Sequence, residues 1–282
     1  MGGYGVNRLM DVLSADWPAI CRRIVAAQQT IFERTPGREE RTVYEGVGEG
    51  GDRTLLIDRE CEDAVFAELD ELAAAGASFV AVSEERGEVG FGAGGEARVV
   101  IDPIDGSLNA RRTLPAHSLS IAVASGPSME DVEFGYVYDF GAAEEFAARR
   151  GGGATLDRRS IEVAADGEML ELLGVESAEP GLLRPLVEAL DGSVYRLRVV
   201  GSIAITAAYV AAGRLDGMVS PRPCRSVDAA AAQLVVREAG GVVAFGDLAL
   251  NEAGLGLAAR YEIAAAAGPR SLAVIRATEP AQ

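Results

Sequence analysis

Two aspartates three residues apart close an apolar run in Val99-Val100-Ile101-Asp102-Pro103-Ile104-Asp105-Gly106-Ser107-Leu108-Asn109. The run predicts a strand, and Pro103 stops regular pairing, which helps aim both carboxylates at one point beyond the strand end. Gly106 and Ser107 then start a new element whose free backbone amides can receive a phosphate. Two carboxylates beside a phosphate cradle would repel each other and the substrate unless divalent cations stood between them. The chemistry implied is therefore metal-assisted phosphoryl transfer. Asp-x-x-Asp by itself is equally a strand and turn with two solvated aspartates. The full Asp-Pro-Ile-Asp-Gly-Ser string is far less common by chance, and other motifs accompany it.

Composition narrows the chemistry from the other side. The chain has 282 residues and a net charge of −17, all 26 of its basic residues are arginine, and His117 is its one histidine. Without lysine there is no Schiff-base nucleophile, no pyridoxal-phosphate anchor and no P-loop. One histidine cannot build a His-rich zinc or two-His iron site. Cys21, Cys61 and Cys224 form no C-x-x-C pair, so thiol redox and Cys-ligated zinc are poor fits. The odd cysteine count and absent signal-peptide pattern imply a reducing cytoplasm. What remains is carboxylates, hydroxyls, arginines and amides, whose hard oxygens favour Mg²⁺, Mn²⁺ or Ca²⁺. The negative charge disfavours nucleic acid, and no uncharged apolar run reaches the ~18 residues of a membrane span. Arginine in place of lysine fits a GC-rich genome, to which a high-salt cytoplasm is a further reading of the acidity.

The elements that must position these residues are legible as periodicities. Leu9, Leu13, Ile20, Ile24, Ala27 and Ile31 recur at helical intervals, giving two N-terminal helices interrupted at Pro18. A polar, glycine-rich loop spans 35–52, and a helix over 56–75 carries Ile57, Cys61, Val65, Leu69 and Leu72 on one face. Residues 78–83, 97–101, 119–124 and 132–138 predict strands. After Gly151–Gly153, strands at 172–177, 195–200 and near 217, 242 and 263 alternate with helices at 182–190, 203–212 and 227–239. The fold class is thus an α+β / α/β layered sandwich. It divides near residue 150 into an α+β part (1–150) with most metal ligands and an α/β part (151–282) with Asp228 and substrate contacts.

Some patterns mislead. Gly46, Gly48 and Gly51, and again Gly90, Gly92 and Gly95, match G-x-G-x-x-G, but neither has both the buried strand before and the helix after that a dinucleotide site requires. His117 lacks a G-x-S-x-G elbow to serve and reads as a hydrogen-bonded histidine near a strand. Cys21 and Cys61 read as core.

The motifs as a set resemble the inositol monophosphatase family, part of the Mg²⁺-dependent, lithium-sensitive phosphatase superfamily that includes fructose-1,6-bisphosphatases. Asp102 to Ser107 match its central Asp-Pro-[Ile/Leu]-Asp-Gly-[Thr/Ser] string. Ser83-Glu84-Glu85 match its acidic pair after a strand, and Asp52, Thr54 and Asp58 an Asp-x-Thr-x-x-x-Asp element. Asp228-Ala229-Ala230 with Glu238-Ala239-Gly240-Gly241 match its C-terminal motif. Order and spacing hold over nearly the whole chain.

The resemblance implies a sugar-phosphatase-type αβαβα sandwich and assigns roles. Glu84, Asp102, Asp105 and Asp228 would ligate two or three Mg²⁺ ions by carboxylate (Mn²⁺ being an alternative), and Ile104 would do so through its carbonyl. Ser107, replacing the commoner threonine, would with Asp58 orient or deprotonate the attacking water, with no covalent enzyme intermediate. Asp105, Gly106, Ser107, Gly201, Ser202 and Asp228 would face the substrate, and Arg198 could clamp a second phosphate. Each also has a plainer reading. Asp58 could lie on a polar helix face, Glu85 could support the site or face solvent, and Asp228 could cap its helix. Arg111 and Arg112 could reach substrate or be surface charge.

The implied partner is a small phosphorylated substrate, inositol 1-phosphate and/or fructose 1,6-bisphosphate, with a cytoplasmic homodimer expected. Ser220 stands where inositol-specific members carry a glutamate, and Val227 where many carry tryptophan. Ser220 counts against strict inositol specificity, and Gly213-Arg214-Leu215-Asp216-Gly217 with Arg225-Ser226-Val227-Asp228 look closer to archaeal members. The alternatives are a 3′-phosphoadenosine-type nucleotide phosphatase or an NADP phosphatase on the same scaffold. Outside enzymes, an RNA-associated regulatory module remains, a role one bacterial relative suggests and the charge disfavours.

Overall fold

The computed structural model describes residues 11–47 and 53–277. In chain order its elements are α1 (Trp17–Arg34), β1 (Tyr44–Val47), β2 (Arg53–Leu55), α2 (Leu56–Ala74), β3 (Phe79–Ser83), β4 (Gly87–Phe91), β5 (Arg98–Asp105), α3 (Ser107–Arg111), β6 (Ser118–Ala124), β7 (Val132–Asp139) and β8 (Glu144–Arg149). These are followed by β9 (Gly153–Leu156), β10 (Arg159–Ile161), β11 (Leu170–Val175), α4 (Pro180–Leu190), β12 (Val194–Arg198), α5 (Ile203–Ala211), β13 (Gly217–Arg225), α6 (Ser226–Glu238), β14 (Val242–Phe245), β15 (Arg260–Ala266) and α7 (Pro269–Arg276).

Two sheets carry the architecture. The larger has eight strands in the order β10-β9-β8-β7-β6-β5-β3-β4, antiparallel except for the β3–β5 pair. The smaller has the order β12-β11-β13-β15-β14, with β11 parallel to both its neighbours. Strand periodicity explains the layering, because alternate side chains leave opposite faces. On β5, Val99 and Ile101 pack with Trp17, Ile24, Val65 and Leu69 of α1 and α2, while Val100 packs with the alanines of α5 and α6. Helices α5 and α6 lie between the sheets, and Leu186, Leu190 and Ile275 of α4 and α7 cover the far face of the smaller one. The result is the five-layer αβαβα sandwich. Central helix α6 is covered by both sheets, which its small side chains permit: Ala229 to Ala232 are all buried. Strand β7 approaches so closely that a Cβ on Gly135 would lie 2.5 Å from the Ala231 carbonyl oxygen.

Three differences from the sequence expectations have local causes. Pro18 does not interrupt a helix but stands in the first turn of α1, where its missing N–H costs nothing, and Asp16 caps that turn through Ala19 N–H (3.2 Å). Leu9 lies outside the described residues. Gly151–Gly153, expected at a domain boundary, form the turn between β8 and β9, so the first sheet continues to Ile161. That turn is pinned to α6 by the Glu238 carboxylate, which accepts from the N–H groups of Gly151 and Gly153 (2.9 Å each). Finally, the 35–52 loop contains a 3₁₀ turn at Glu40–Thr42 and strand β1. Among the described residues no helix is long and apolar enough to cross a membrane.

Candidate active site

The ends of β3 and β5, which run parallel side by side, place the first group of acids. Glu84 and Glu85 follow β3 in a tight turn held by a buried side chain the sequence did not single out. Glu62 of α2 accepts from the Ser83 hydroxyl and from Arg86 N–H (3.1 Å), and its other oxygen pairs with Arg86 Nε at 3.2 Å.

On β5 the register with β6 shifts between Asp102, opposite Ser120, and Asp105, opposite Ser118. This is a bulge at Pro103-Ile104, where the missing proline N–H makes regular pairing impossible. Its consequence is chemical. Strict alternation would turn Asp102 and Asp105 to opposite faces, whereas the bulge brings Asp105 to the α5 side and turns Ile104 into the α2 cluster of Ile57 and Cys61. Asp102 Oδ1 accepts from Ile104 N–H (2.9 Å), and Gln28 of α1 donates to the Pro103 carbonyl (3.2 Å), fixing the bulge from behind.

Asp105 is locked to the start of α5. Its Oδ2 accepts from the Ser202 hydroxyl and from Ala204 N–H, both at 2.6 Å. Ser202 is buried and also caps α5 by accepting from Ile205 N–H (3.2 Å), so it positions Asp105 rather than presenting its hydroxyl to a substrate. Behind it lies Glu176, buried at the end of β11. Glu176 accepts from Thr206 Oγ1 (2.6 Å), Val200 N–H (3.2 Å) and Gly201 N–H (2.9 Å). Burial pushes its carboxyl up to about 7 against the pull of those donors. Gly201 and Gly106 both have φ of +88°, which favours glycine, and a Cβ on Gly201 would lie 2.6 Å from Asn109 Nδ2. That closeness lets Asn109 donate to both Ala116 O (2.7 Å) and Val200 O (2.9 Å), tying the Gly106 turn to the α5 loop.

The smaller sheet contributes through a second bulge. Between Ser220 and Cys224 strand β13 holds two residues more than its partner β15, and Pro221 and Pro223 flank Arg222 there. Strand β13 then feeds α6, whose third residue is Asp228. Asp228 is therefore not the N-cap, although its Oδ2 accepts from Arg225 N–H (2.8 Å) in the first turn. The Arg225 guanidinium reaches across and donates to Glu84, from the other sheet. Ser220 is buried, its hydroxyl donating to Arg222 O (2.7 Å).

These residues line two adjoining cavities. One of ≈ 560 Å³ is bordered by Asp58, Glu84, Glu85, Asp102, Ile104, Ser107 and Arg111. The other, of ≈ 610 Å³, shares Glu84, Asp102, Ile104, Ser107 and Arg222 with the first and adds Asp105, Gly106, Asp228 and the arginines 225 and 260. Asp58 is the third residue of α2 and accepts from Leu55 N–H (3.2 Å). Burial, reinforced by Glu85 and Glu84, pushes its carboxyl up to about 7. Ser107 opens α3 and is exposed. Arg198 lines neither cavity; it is exposed at the end of β12, its Nη1 turned to Leu197 O (2.9 Å). Arg112 is likewise exposed and lines neither. Asp52 and the Thr54 side chain lie outside the described residues, as do Gly48 and Gly51. His117 is buried against Phe32 and Phe140, with Nδ1 3.2 Å from Leu114 O.

The donor set fits a hard divalent cation. Burial raises the carboxyls of Asp102, Glu84 and Asp228, and the negative neighbours raise them further: Glu84, Asp105 and Asp228 around Asp102, Asp228 beside Glu84, and Asp105 beside Asp228. Acids that burial and mutual repulsion oppose so strongly call for cations in the cavities, and their oxygens are the ligands Mg²⁺ takes. The set is open as it stands. Among the described residues no three acidic, imidazole or thiol side chains are gathered tightly enough to hold an ion.

A five-layer αβαβα sandwich with carboxylates at adjacent strand ends, beside a glycine-turned loop, defines a metal-dependent phosphatase scaffold. The model of the inositol monophosphatase family matches residues 18–278, and the chain belongs to that family. Over 237 residues it is 30% identical to the fructose-1,6-bisphosphatase/inositol-1-monophosphatase of Methanothermobacter thermautotrophicus, covering 80% of this chain and 83% of that one. The inositol-1-monophosphatase of Mesorhizobium japonicum is 35% identical over 200 residues, 68% of this chain and 72% of that one. A solved inositol monophosphatase–fructose 1,6-bisphosphatase superposes with a TM-score of 0.80 at 27% identity, covering 94% of this chain and all of the other. The chain is a phosphatase of a metal-dependent family.

Proposed function

We propose that the chain hydrolyses the phosphate monoester of a sugar or inositol with Mg²⁺, and that inositol 1-phosphate and fructose 1,6-bisphosphate are its candidate substrates. The supporting observation is the convergence of Glu84, Asp102, Asp105 and Asp228, from both sheets, on two adjoining cavities. These carboxylates, with the Ile104 carbonyl, would hold the cations. A bound cation supplies charge neutralisation and acidifies water. Asp58, whose carboxyl is pushed up to about 7, is suited to take a proton from the attacking water near neutral pH, with the Ser107 hydroxyl beside it at the cavity wall orienting that water. The first amides of α3 after the Gly106 turn have no partner within the helix and would bind phosphate oxygens. A second anionic group of the substrate would meet Arg222 and Arg260 at the wider cavity rather than Arg198.

Initial rates on inositol 1-phosphate, fructose 1,6-bisphosphate, 3′-phosphoadenosine 5′-phosphate and NADP, with Mg²⁺ and with EDTA, test this. Turnover of the first two that stops with EDTA is expected, with Li⁺ inhibiting. Preference for the adenine nucleotides would overturn the substrate class, and full activity in EDTA would overturn the metal.

A further inference from the structure

Among the described residues, Arg225 places its guanidinium against a carboxylate that the proposed function gives to the metal. Its Nη1 donates to Glu84 Oε1, and the two side chains are 16% and 22% exposed, so the pair is largely shielded from water. Its backbone N–H meanwhile donates to Asp228 Oδ2 at 2.8 Å. One residue thus touches an acid from each side of the site. Glu84 follows β3 of the larger sheet, and Asp228 belongs to the helix that β13 of the smaller sheet feeds. The position follows from the chain itself. The Pro221-Arg222-Pro223 bulge ends two residues before Arg225, which closes β13 and directly precedes α6.

We infer that Arg225 is a positioning residue that stands in for a divalent cation at Glu84, and that loading the site exchanges its guanidinium for the metal. This rests on the metal-dependent reading above. A guanidinium is a monovalent donor that fits one carboxylate edge, whereas a divalent ion draws on several oxygens at once. The two cations repel at short range, so they cannot share Glu84 without cost. In the metal-free protein the guanidinium offsets part of the repulsion among Glu84, Asp102 and Asp228. Once displaced, it stays on the wall of the wider cavity, which it lines together with Arg222 and Arg260, where an anionic substrate would meet it. Arg225 therefore lowers apparent metal affinity while preventing the empty acid cluster from splaying.

The test is direct metal binding, read by calorimetry with Mg²⁺ and by electron paramagnetic resonance with Mn²⁺. Arg225→Gln is expected to bind the metal about three- to tenfold more tightly than the wild-type chain, and to melt at a lower temperature in EDTA. Arg225→Lys, which keeps the charge, should stay near wild type. In an Glu84→Gln background the effect of Arg225→Gln on affinity should vanish, because the shared carboxylate is gone. Unchanged or weaker metal binding by Arg225→Gln would overturn the exchange, as would equal tightening by Arg225→Lys. Failure of the wild-type chain and every variant to bind either ion would instead remove the metal-dependent reading, and the exchange with it.

Discussion

Asp105 and Glu84 border the same cavity but are held in opposite ways. Asp105 receives two short hydrogen bonds, from Ser202 and Ala204, and the loop supplying them is itself clamped by the buried Glu176. Glu84 stands on a turn and is engaged by the guanidinium of Arg225, a long side chain from the opposite sheet. A carboxylate fixed by backbone and hydroxyl donors keeps its geometry whether or not an ion is present. One fixed by an ion pair keeps it only until a stronger cation arrives. The site thus has a rigid side, built by the β5 bulge and the start of α5, and an exchangeable side, built by the β3 turn and Arg225.

The largest effect expected on the rigid side is that of Asp102→Asn. With one of the proposed ligand charges gone from the buried centre, kcat/KM with Mg²⁺ should fall at least about 10³-fold, with the fold intact by circular dichroism. Retained activity would contradict the placement of the ions. Next is Glu176→Ala, which touches no ligand but frees Val200 and Gly201. Loss of support behind a ligand typically costs about 10- to 100-fold in metal affinity or activity. An effect confined to stability would show that the α5 loop holds Asp105 without Glu176.

The metal-free protein should also respond to pH. Asp58 and Glu176 have native carboxyls at about 7, well above their unfolded values near ~4, so the native state binds more protons than the unfolded chain between those limits. Stability in EDTA therefore falls as pH rises from about 4 to about 7 and stays low above that, apart from contributions of other groups. Urea unfolding at pH 5 and pH 8 measures this, and added Mg²⁺ should restore more stability at pH 8. The smallest effect is expected for Ser107→Thr. It keeps the hydroxyl on an exposed position and should leave kcat/KM within about threefold.

The same contrast explains what could be seen in the sequence. Asp102, Asp105 and Gly106 were legible because strand, proline bulge and turn are adjacent in the chain, and one short string carries the whole device. A layered sandwich was legible because strands and helices alternate after residue 153, while the αβαβα order of its layers came only through the family resemblance. Glu176, Glu62 and Asn109 were not, because their partners lie far away in sequence: Asn109 acts on Val200, and Glu62 on Ser83. A lone glutamate inside Val175-Glu176-Ser177 has no pattern to distinguish it until β11 is placed beside α5. Arg198 misled for the converse reason. Its closeness to Gly201 in sequence suggested a substrate contact, yet the end of β12 leaves it exposed outside both cavities.

Anomalous diffraction from crystals grown with Mn²⁺ and phosphate tests the central claim most directly. Manganese peaks bonded to Glu84, Asp102, the Ile104 carbonyl, Asp105 and Asp228, with phosphate against the Gly106-Ser107 turn, are the expected result. Manganese elsewhere, or none between these carboxylates at saturating concentration, would contradict it.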